Sequence, residues 1–339
     1  GNDAFDLGEK ELKATKPGDC LSYGYNFLDS ALTGIFPGEL VVLGGASGTG
    51  KTTVAMHIAT KAARAGHKVF VFALEDRTAD YAMKALFFKI NQIAKEEGGS
   101  PKDYYQWGLF RKNTYSDERF VKHMAQAKAE LATDNMSFVV VDGRLTFDAL
   151  DRMIEQEVKN GVQMFIIDHL HHLDLDSSDM GRNENIENFM VNLRNTQRRN
   201  NARILLIAHY RKLNGAAPGL DSFKDSSAIV QNATAVINLY RERPDGESKK
   251  KNESIVKQID QFRKDKDERF INTFFLIPKV RSPNGENVLM VQFDRNLGDY
   301  LDHQATEFKP LSEMMAKMEV EEPKTQDQIQ ATINYDWMK

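Results

Sequence analysis

The residues Gly45-Ala-Ser-Gly-Thr-Gly-Lys51-Thr52 match G-x-x-x-x-G-K-[ST] at every fixed position. They follow the apolar run Leu40–Leu43 and open a helical pattern, which is the setting such a loop needs. Glycines let successive backbone N–H groups close around phosphate oxygens, and the helix beyond adds the positive end of its dipole. Lys51 is placed to reach the β and γ phosphates, and the Thr52 hydroxyl to ligate Mg2+. The expected binding set is Gly45, Ser47, Gly48, Thr49, Gly50, Lys51, Thr52 and Thr53, and the expected ligand is a nucleoside triphosphate.

Such a loop needs a second carboxylate on the magnesium side, at the end of a neighbouring strand. Val139-Val-Val-Asp142 and Phe165-Ile-Ile-Asp168 both end an apolar run with Asp. Asp168 is favoured, because Asp142 precedes Gly143 and can simply begin a turn. His169, His171 and His172 follow Asp168; with no carboxylate or Cys at ligand spacing they read as a polar strand rim rather than a zinc site. Hydrolysis also needs a base that orients water. Glu75 ends the run Val69–Leu74 and fits that role; its alternative is to cap the next helix, alongside Asp76 and Thr78. His209 ends the run Ile204–Ala208, where it can touch a γ phosphate or serve as a hydrogen-bonded structural histidine.

Positioning these groups requires strands that end together. The runs Leu40–Leu43, Lys68–Leu74, Ser137–Val141, Met164–Ile167 and Arg203–Ala208 are short, apolar and rich in β-branched residues. Strands covered by helices on both faces read this way. Helical patterns lie between them. Thr52–Arg64 stops at Gly66, Ser116 can cap a helix whose first turn holds Asp117 and Glu118, and a further helix fits 146–160. Ile186, Phe189, Met190 and Leu193 form one stripe on a helix over 186–199. The alternation predicts an α/β fold with an open, mostly parallel central sheet flanked by helices. Past residue 234, Ala235–Leu239, Thr273–Pro278 and Val288–Phe293 read as strands, the last two a C-terminal β-hairpin around Ser282-Pro-Asn-Gly285.

The chain has 339 residues, 41% apolar and 28% charged, a globular composition. One cysteine, Cys20, excludes a disulfide framework and a four-cysteine zinc site. The apolar runs are strand-sized, so no membrane span is expected. No signal peptide is visible, and Gly1 in place of Met points to a piece trimmed from a longer chain. The net charge of −4 sits in the tail, where residues 301–339 carry four basic groups against eight acidic. Met314, Met315 and Met318 in that tail recur at helical spacing. Residues 194–224 hold Arg194, Arg198, Arg199, Arg203, Arg211, Lys212 and Lys224 against Asp221 alone. A stripe of that kind can follow a phosphate backbone or can be a solvated helix face. Residues 242–270 are densely charged with both signs and read as a surface insertion.

Taken together, these motifs resemble the ring-forming replicative helicases of the DnaB type, whose core is a RecA-like P-loop ATPase. Ser22-Tyr-Gly-Tyr-Asn-Phe-Leu-Asp-Ser-Ala-Leu-Thr-Gly34 resembles the segment they carry before the phosphate loop. Phe72-Ala-Leu-Glu75 resembles their catalytic-Glu motif, Phe165-Ile-Ile-Asp168-His-Leu their Walker B strand, and Ile207-Ala-His209-Tyr their phosphate-sensor strand. His at the sensor position is similar to the phage primase-helicase and Twinkle branch. Phe223-Lys224-Asp-Ser-Ser-Ala-Ile-Val-Gln231 resembles the DNA-binding loop, with Ser227 where a Gly is usual. Leu239-Tyr-Arg241 and Lys279-Val-Arg281 follow at suitable places, so the match spans about residues 20–300.

The resemblance implies an ATP-dependent DNA helicase motor that uses Mg2+ and assembles as a hexameric ring, with ATP between subunits. It implies Glu75, Lys51, His209 and Arg281 as catalytic residues, Arg281 and Lys279 reaching a neighbour's nucleotide, and Thr52 and Asp168 on Mg2+. Arg211, Lys212 and Lys224 would hold single-stranded DNA in the channel through its phosphates. The expected partners are single-stranded DNA, further copies of the chain and a primase or loader, in the cytoplasm of a bacterial or phage-infected cell or in an organelle. The family's N-terminal collar or primase domain is not expected in this chain. The expected division is a linker segment over 1–19, the ATPase domain over 20–304 with the insertion 242–270, and an acidic tail over 305–339. The alternative in another class is a RecA- or KaiC-like ATPase that forms a filament or a switching ring without unwinding.

Overall fold

The computed structural model describes residues 20–75, 77–100, 103–133, 135–140, 145–170, 173–174, 182–210, 223, 227–241, 273–280, 287–291, 293–294 and 299–300, with 5–6, 9–10 and 13 near the N-terminus. In chain order the elements begin with α1 (Asn26–Leu32), β1 (Leu40–Gly45), α2 (Lys51–Arg64), β2 (Val69–Ala73) and α3 (Thr78–Glu96). There follow α4 (Trp107–Arg111), α5 (Glu118–Thr133), β3 (Met136–Val140), β4 (Leu145–Thr146), α6 (Phe147–Lys159), β5 (Met164–Asp168) and β6 (Leu173–Asp174). The remainder are α7 (Arg182–Arg199), β7 (Arg203–His209), α8 (Ser227–Asn232), β8 (Ala235–Arg241), β9 (Thr273–Val280), β10 (Asn287–Val291), β11 (Phe293–Asp294) and β12 (Asp299–Tyr300).

Eight strands form one sheet in the order β10-β9-β8-β1-β7-β5-β2-β3. Every pairing from β8 to β3 is parallel, and β9 and β10 add an antiparallel hairpin at one edge. The expected α/β architecture and its C-terminal hairpin are therefore present. The proposed turn of that hairpin, 282–285, lies outside the described residues. The second strand is described over Asn287–Val291, with Val291 opposite Thr273; Phe293 pairs with Tyr300 in a small separate ribbon.

Alternation explains why the strands read as unbroken apolar runs. Val41, Leu43, Val69, Val71, Ile166, Leu205 and Ile207 pack on one face with α1, α2 and the first turns of α3. Leu40, Val42, Phe70, Phe72, Phe165, Ile167, Ile204 and Leu206 pack on the other with α6, α7 and α8. Both faces are dry, so neither side of a strand can be polar. Outside this sandwich, α3, α4 and α5 close a third cluster around Phe87, Ile90, Tyr105 and Phe120.

Local signals set the helix ends. At the end of α2, the Gly66 N–H donates to Ala63 O and the His67 N–H to Ala62 O, with Gly66 at φ 92°, a Schellman motif. The cap of α5 is Asp117, not Ser116. Its Oδ1 accepts from the Phe120 N–H at 2.9 Å, the third residue inside a helix that starts at Glu118. A cap at Ser116 would lie one residue too early for that bond. Thr146 caps α6 by accepting from the Ala149 N–H.

Candidate active site

Parallel register brings the candidate residues to one edge. Gly45 stands opposite His209, and Ala73 opposite Asp168, so β1, β2, β5 and β7 end side by side. The Leu74 and Glu75 N–H groups both donate to Asp168 O, at 2.8 and 3.2 Å, which ties the end of β2 to the end of β5. A crevice beyond the carboxyl ends of parallel strands is where open α/β sheets bind ligands.

The loop from Gly45 to Lys51 turns tightly into α2. Gly50 stands at the N-cap with φ 101°, a conformation that costs a side-chain-bearing residue. A Cβ on Gly45 would lie 2.6 Å from Thr49 Oγ1 and 3.1 Å from Lys51 Cγ, so only glycine lets the loop fold back over this strand end. Thr49 Oγ1 donates to Ala46 O at 2.8 Å and holds the turn. Lys51 is buried, and its Nζ donates to Ala46 O at 3.0 Å and lies 3.4 Å from His209 Nδ1. Burial lowers its pKa to about 8, with the Asp168 and Glu75 charges opposing that shift.

Asp168 is fully buried. Its Oδ2 accepts from Thr52 Oγ1 at 2.8 Å and from the Tyr81 hydroxyl at 2.9 Å. Among the described residues no donor reaches its Oδ1, which is buried as well. Burial raises this carboxyl's pKa against the two hydrogen bonds. A hydroxyl and a carboxylate in contact, with one carboxylate oxygen left over, are an all-oxygen donor set of the kind that suits Mg2+.

Glu75 is exposed, two residues beyond the end of β2. It does not cap α3: the N-cap residue is Arg77, whose side chain pairs with Asp80. Glu75 Oε2 lies 3.0 Å from His169 Nδ1 and 3.6 Å from His209 Nε2. The neighbouring imidazoles, His169 first and then His209, hold its carboxyl far below the usual carboxylate range. The two imidazoles meet edge to face at 4.2 Å. Sequence spacing offers His169 no carboxylate; the fold supplies Glu75 from a different strand.

Five sequence candidates thus converge: Lys51, Thr52, Glu75, Asp168 and His209. Two contributors carry no sequence signal for this location. Tyr81 sits in the apolar stripe of α3 and looks like core. His169 is visible only as one of a group of histidines. Asp142, His171, His172, Arg211, Lys212, Lys224 and Arg281 lie outside the described residues. Lys279, on β9, turns toward α8, donating to Val230 O and, at 3.3 Å, to Gln231 O. The basic stripe divides. Arg194 donates to Asn232 O, Arg199 pairs with Asp151 and Glu155 of α6, and Arg203 is buried on Ile35 O and Gln163 O. Those three brace the fold rather than face a ligand.

A six-strand parallel core with a G-x-x-x-x-G-K-T loop at its carboxyl edge, facing an Asp and a Glu on neighbouring strand ends, defines a P-loop nucleotide-binding protein of RecA-like architecture. The sequence model of the family described as DnaB-like helicase C terminal domain matches residues 20–282, and the chain belongs to that family. It is 27% identical over 246 residues to the replicative DNA helicase DnaB of Helicobacter pylori, a match covering 70% of this chain and 47% of that one. The chain thus spans about half the length of the curated relatives it matches. Among solved structures, one described as an ATPase domain superposes with a TM-score of 0.67 at 16% identity, covering 89% of this chain and 98% of that one. A DnaB-like replicative helicase studied for its interactions with primase superposes with a TM-score of 0.66, also at 16% identity, covering 88% and 67%. Among the described residues no helix is long and apolar enough to cross a membrane.

Proposed function

We propose that this chain is the motor portion of a replicative DNA helicase, hydrolysing ATP and converting the release of phosphate into movement along single-stranded DNA. The observation that carries the proposal is the convergence of Lys51, the Thr52–Asp168 pair and Glu75 at one strand edge, in a chain whose family is defined by helicases. Backbone N–H groups of the loop and Lys51 bind the triphosphate. Thr52 and Asp168 would hold Mg2+, which neutralises charge on the β and γ oxygens when bound. Glu75, kept ionised, accepts a proton from the attacking water and directs it at the γ phosphorus, so ADP and inorganic phosphate result. His209 stands between Lys51 and Glu75 and can register whether the γ phosphate is there.

The remaining roles rest on the family resemblance. Arg281 reaches the nucleotide of the next copy in a hexameric ring and stabilises transition-state charge, and Lys279 would join it only by leaving the α8 carbonyls it bonds here. Arg211, Lys212 and Lys224 grip single-stranded DNA phosphates in the channel. A primase or loader is the natural partner, in a bacterial, phage-infected or organellar setting. The motor covers 20–304 with 242–270 inserted, flanked by a linker over 1–19 and an acidic tail. The family match favours this over a filament or switching ring. A forked duplex with a single-stranded loading tail tests it: strand separation with ATP and Mg2+ is expected. ATP hydrolysis with neither unwinding nor translocation would overturn it.

A further inference from the structure

We propose that Glu75, His169 and His209 form a binding site for a borderline divalent transition-metal ion, Zn2+ in type, separate from the oxygen donors that suit Mg2+. Three ligand atoms, one from each residue, lie within 4.8 Å of one another. Glu75 Oε2 stands 3.0 Å from His169 Nδ1 and 3.6 Å from His209 Nε2. Ligands about 2.0–2.2 Å from a tetrahedral zinc ion sit roughly 3.3 Å apart, so the two gaps to Glu75 straddle the required spacing. Two imidazole nitrogens and one carboxylate are the donors that Zn2+, Co2+ and Ni2+ prefer, whereas Mg2+ selects oxygen. The three residues come from the ends of β2, β5 and β7, tied by the parallel register and by the hydrogen bonds to Asp168 O. Two of the ligands, Glu75 and His169, follow strand ends tied to one another, and His209 ends β7 itself; a tetrahedral ion would take water or a phosphate oxygen as its fourth ligand. One neighbour competes. Lys51 Nζ lies 3.4 Å from His209 Nδ1 and places a positive charge beside the metal position.

The consequence for turnover rests on the role given to Glu75 above. A metal on that carboxylate takes the electron pair that would accept the proton from water, so micromolar Zn2+ should slow ATP hydrolysis while Mg2+ is in excess. Binding itself is tested without nucleotide. The full chain is titrated with CoCl2, following the visible band that marks a tetrahedral site, and with ZnCl2 by calorimetry. One ion per chain and the tetrahedral band are expected. Glu75→Gln and His209→Asn, each close in shape to the original residue, should each weaken binding about tenfold or more. His67→Asn, at an exposed imidazole near Gln163, should leave it unchanged. Lys51→Met should tighten it. Full affinity retained in both Glu75→Gln and His209→Asn, or only the weak band of an octahedral aquo ion, would overturn the site. Weaker or unchanged binding in Lys51→Met would count against His209 as a ligand. If the ion binds as described and turnover is unaffected, the site stands and the role of Glu75 in hydrolysis falls.

Discussion

His123 with Glu97 and His169 with Glu75 are the same two side chains in contact, at 2.8 and 3.0 Å, in two different regions. In the outer helical cluster, His123 is fully buried and both ring nitrogens are engaged, Nε2 by Glu97 and Nδ1 by the Tyr105 hydroxyl at 2.9 Å. Rings of Phe87, Tyr105 and Phe120 belong to the same cluster, and Glu97 also takes Lys122. That pair pins the end of α3 to α5. At the strand edge, His169 meets Glu75 and a second imidazole instead of an aromatic wall, beside a phosphate loop and a buried carboxylate with an unused oxygen. The contact alone therefore says nothing about function. What separates a brace from a reactive centre is whether the imidazole's other neighbours are aromatic side chains of the core or groups that can meet a ligand.

The contrast can be broken most sharply at Glu75. Glu75→Gln should lower ATP turnover by about 10³-fold while nucleotide affinity stays within about twofold, since a general base contributes roughly 10²–10⁴. Equilibrium binding and steady-state phosphate release check both halves. A smaller loss is expected for His169→Asn, which leaves Glu75 in place but less well aimed. Turnover should fall about tenfold with KM little changed, as misplacement without removal costs less than losing the base. His123→Ala should act the other way round. It opens a cavity and strands the Tyr105 hydroxyl, costing roughly 2 kcal/mol of stability, seen as a lower thermal midpoint, with turnover per folded chain unchanged.

The smallest effect belongs to Glu97. Hydrogen bonds from Lys122 and then His123 hold its pKa at about 2, below the ordinary glutamate value near 4.5. The contribution of these contacts is complete above that ordinary value and is lost as pH falls from there toward 2. Glu97→Gln should therefore be slightly less stable than wild type at neutral pH, with the difference shrinking as pH falls from about 4.5 toward 2, read by far-UV circular dichroism. A difference that persists undiminished at the acid end of that window would mean that Glu97 supports the cluster by packing rather than charge.

Much of this arrangement is legible in the residues because it is local. The loop Gly45–Thr52 carries its own spacing, and strands dry on both faces must be apolar throughout. Asp168 could be placed at a strand end for the same reason. What stays hidden depends on register. Nothing near His169 in sequence announces Glu75, which arrives because β2 and β5 pair Ala73 with Asp168. Tyr81 reads as core until its hydroxyl is seen on Asp168. The basic stripe shows the limit of charge counting. Arg194, Arg199 and Arg203 carry the sign expected of a nucleic-acid surface, yet the packing of α7 and the start of β7 turns them onto carbonyls and carboxylates of the fold.

The central claim is that the Lys51–Thr52–Asp168–Glu75 edge is an ATPase centre coupled to single-stranded DNA. It is tested most directly by steady-state phosphate release from the full chain with Mg2+ and ATP, with and without an unstructured single-stranded oligonucleotide, beside Glu75→Gln. Turnover is expected to rise several-fold with the oligonucleotide and to be abolished by Glu75→Gln under both conditions. Turnover indifferent to single-stranded DNA, or retained in Glu75→Gln, would contradict it.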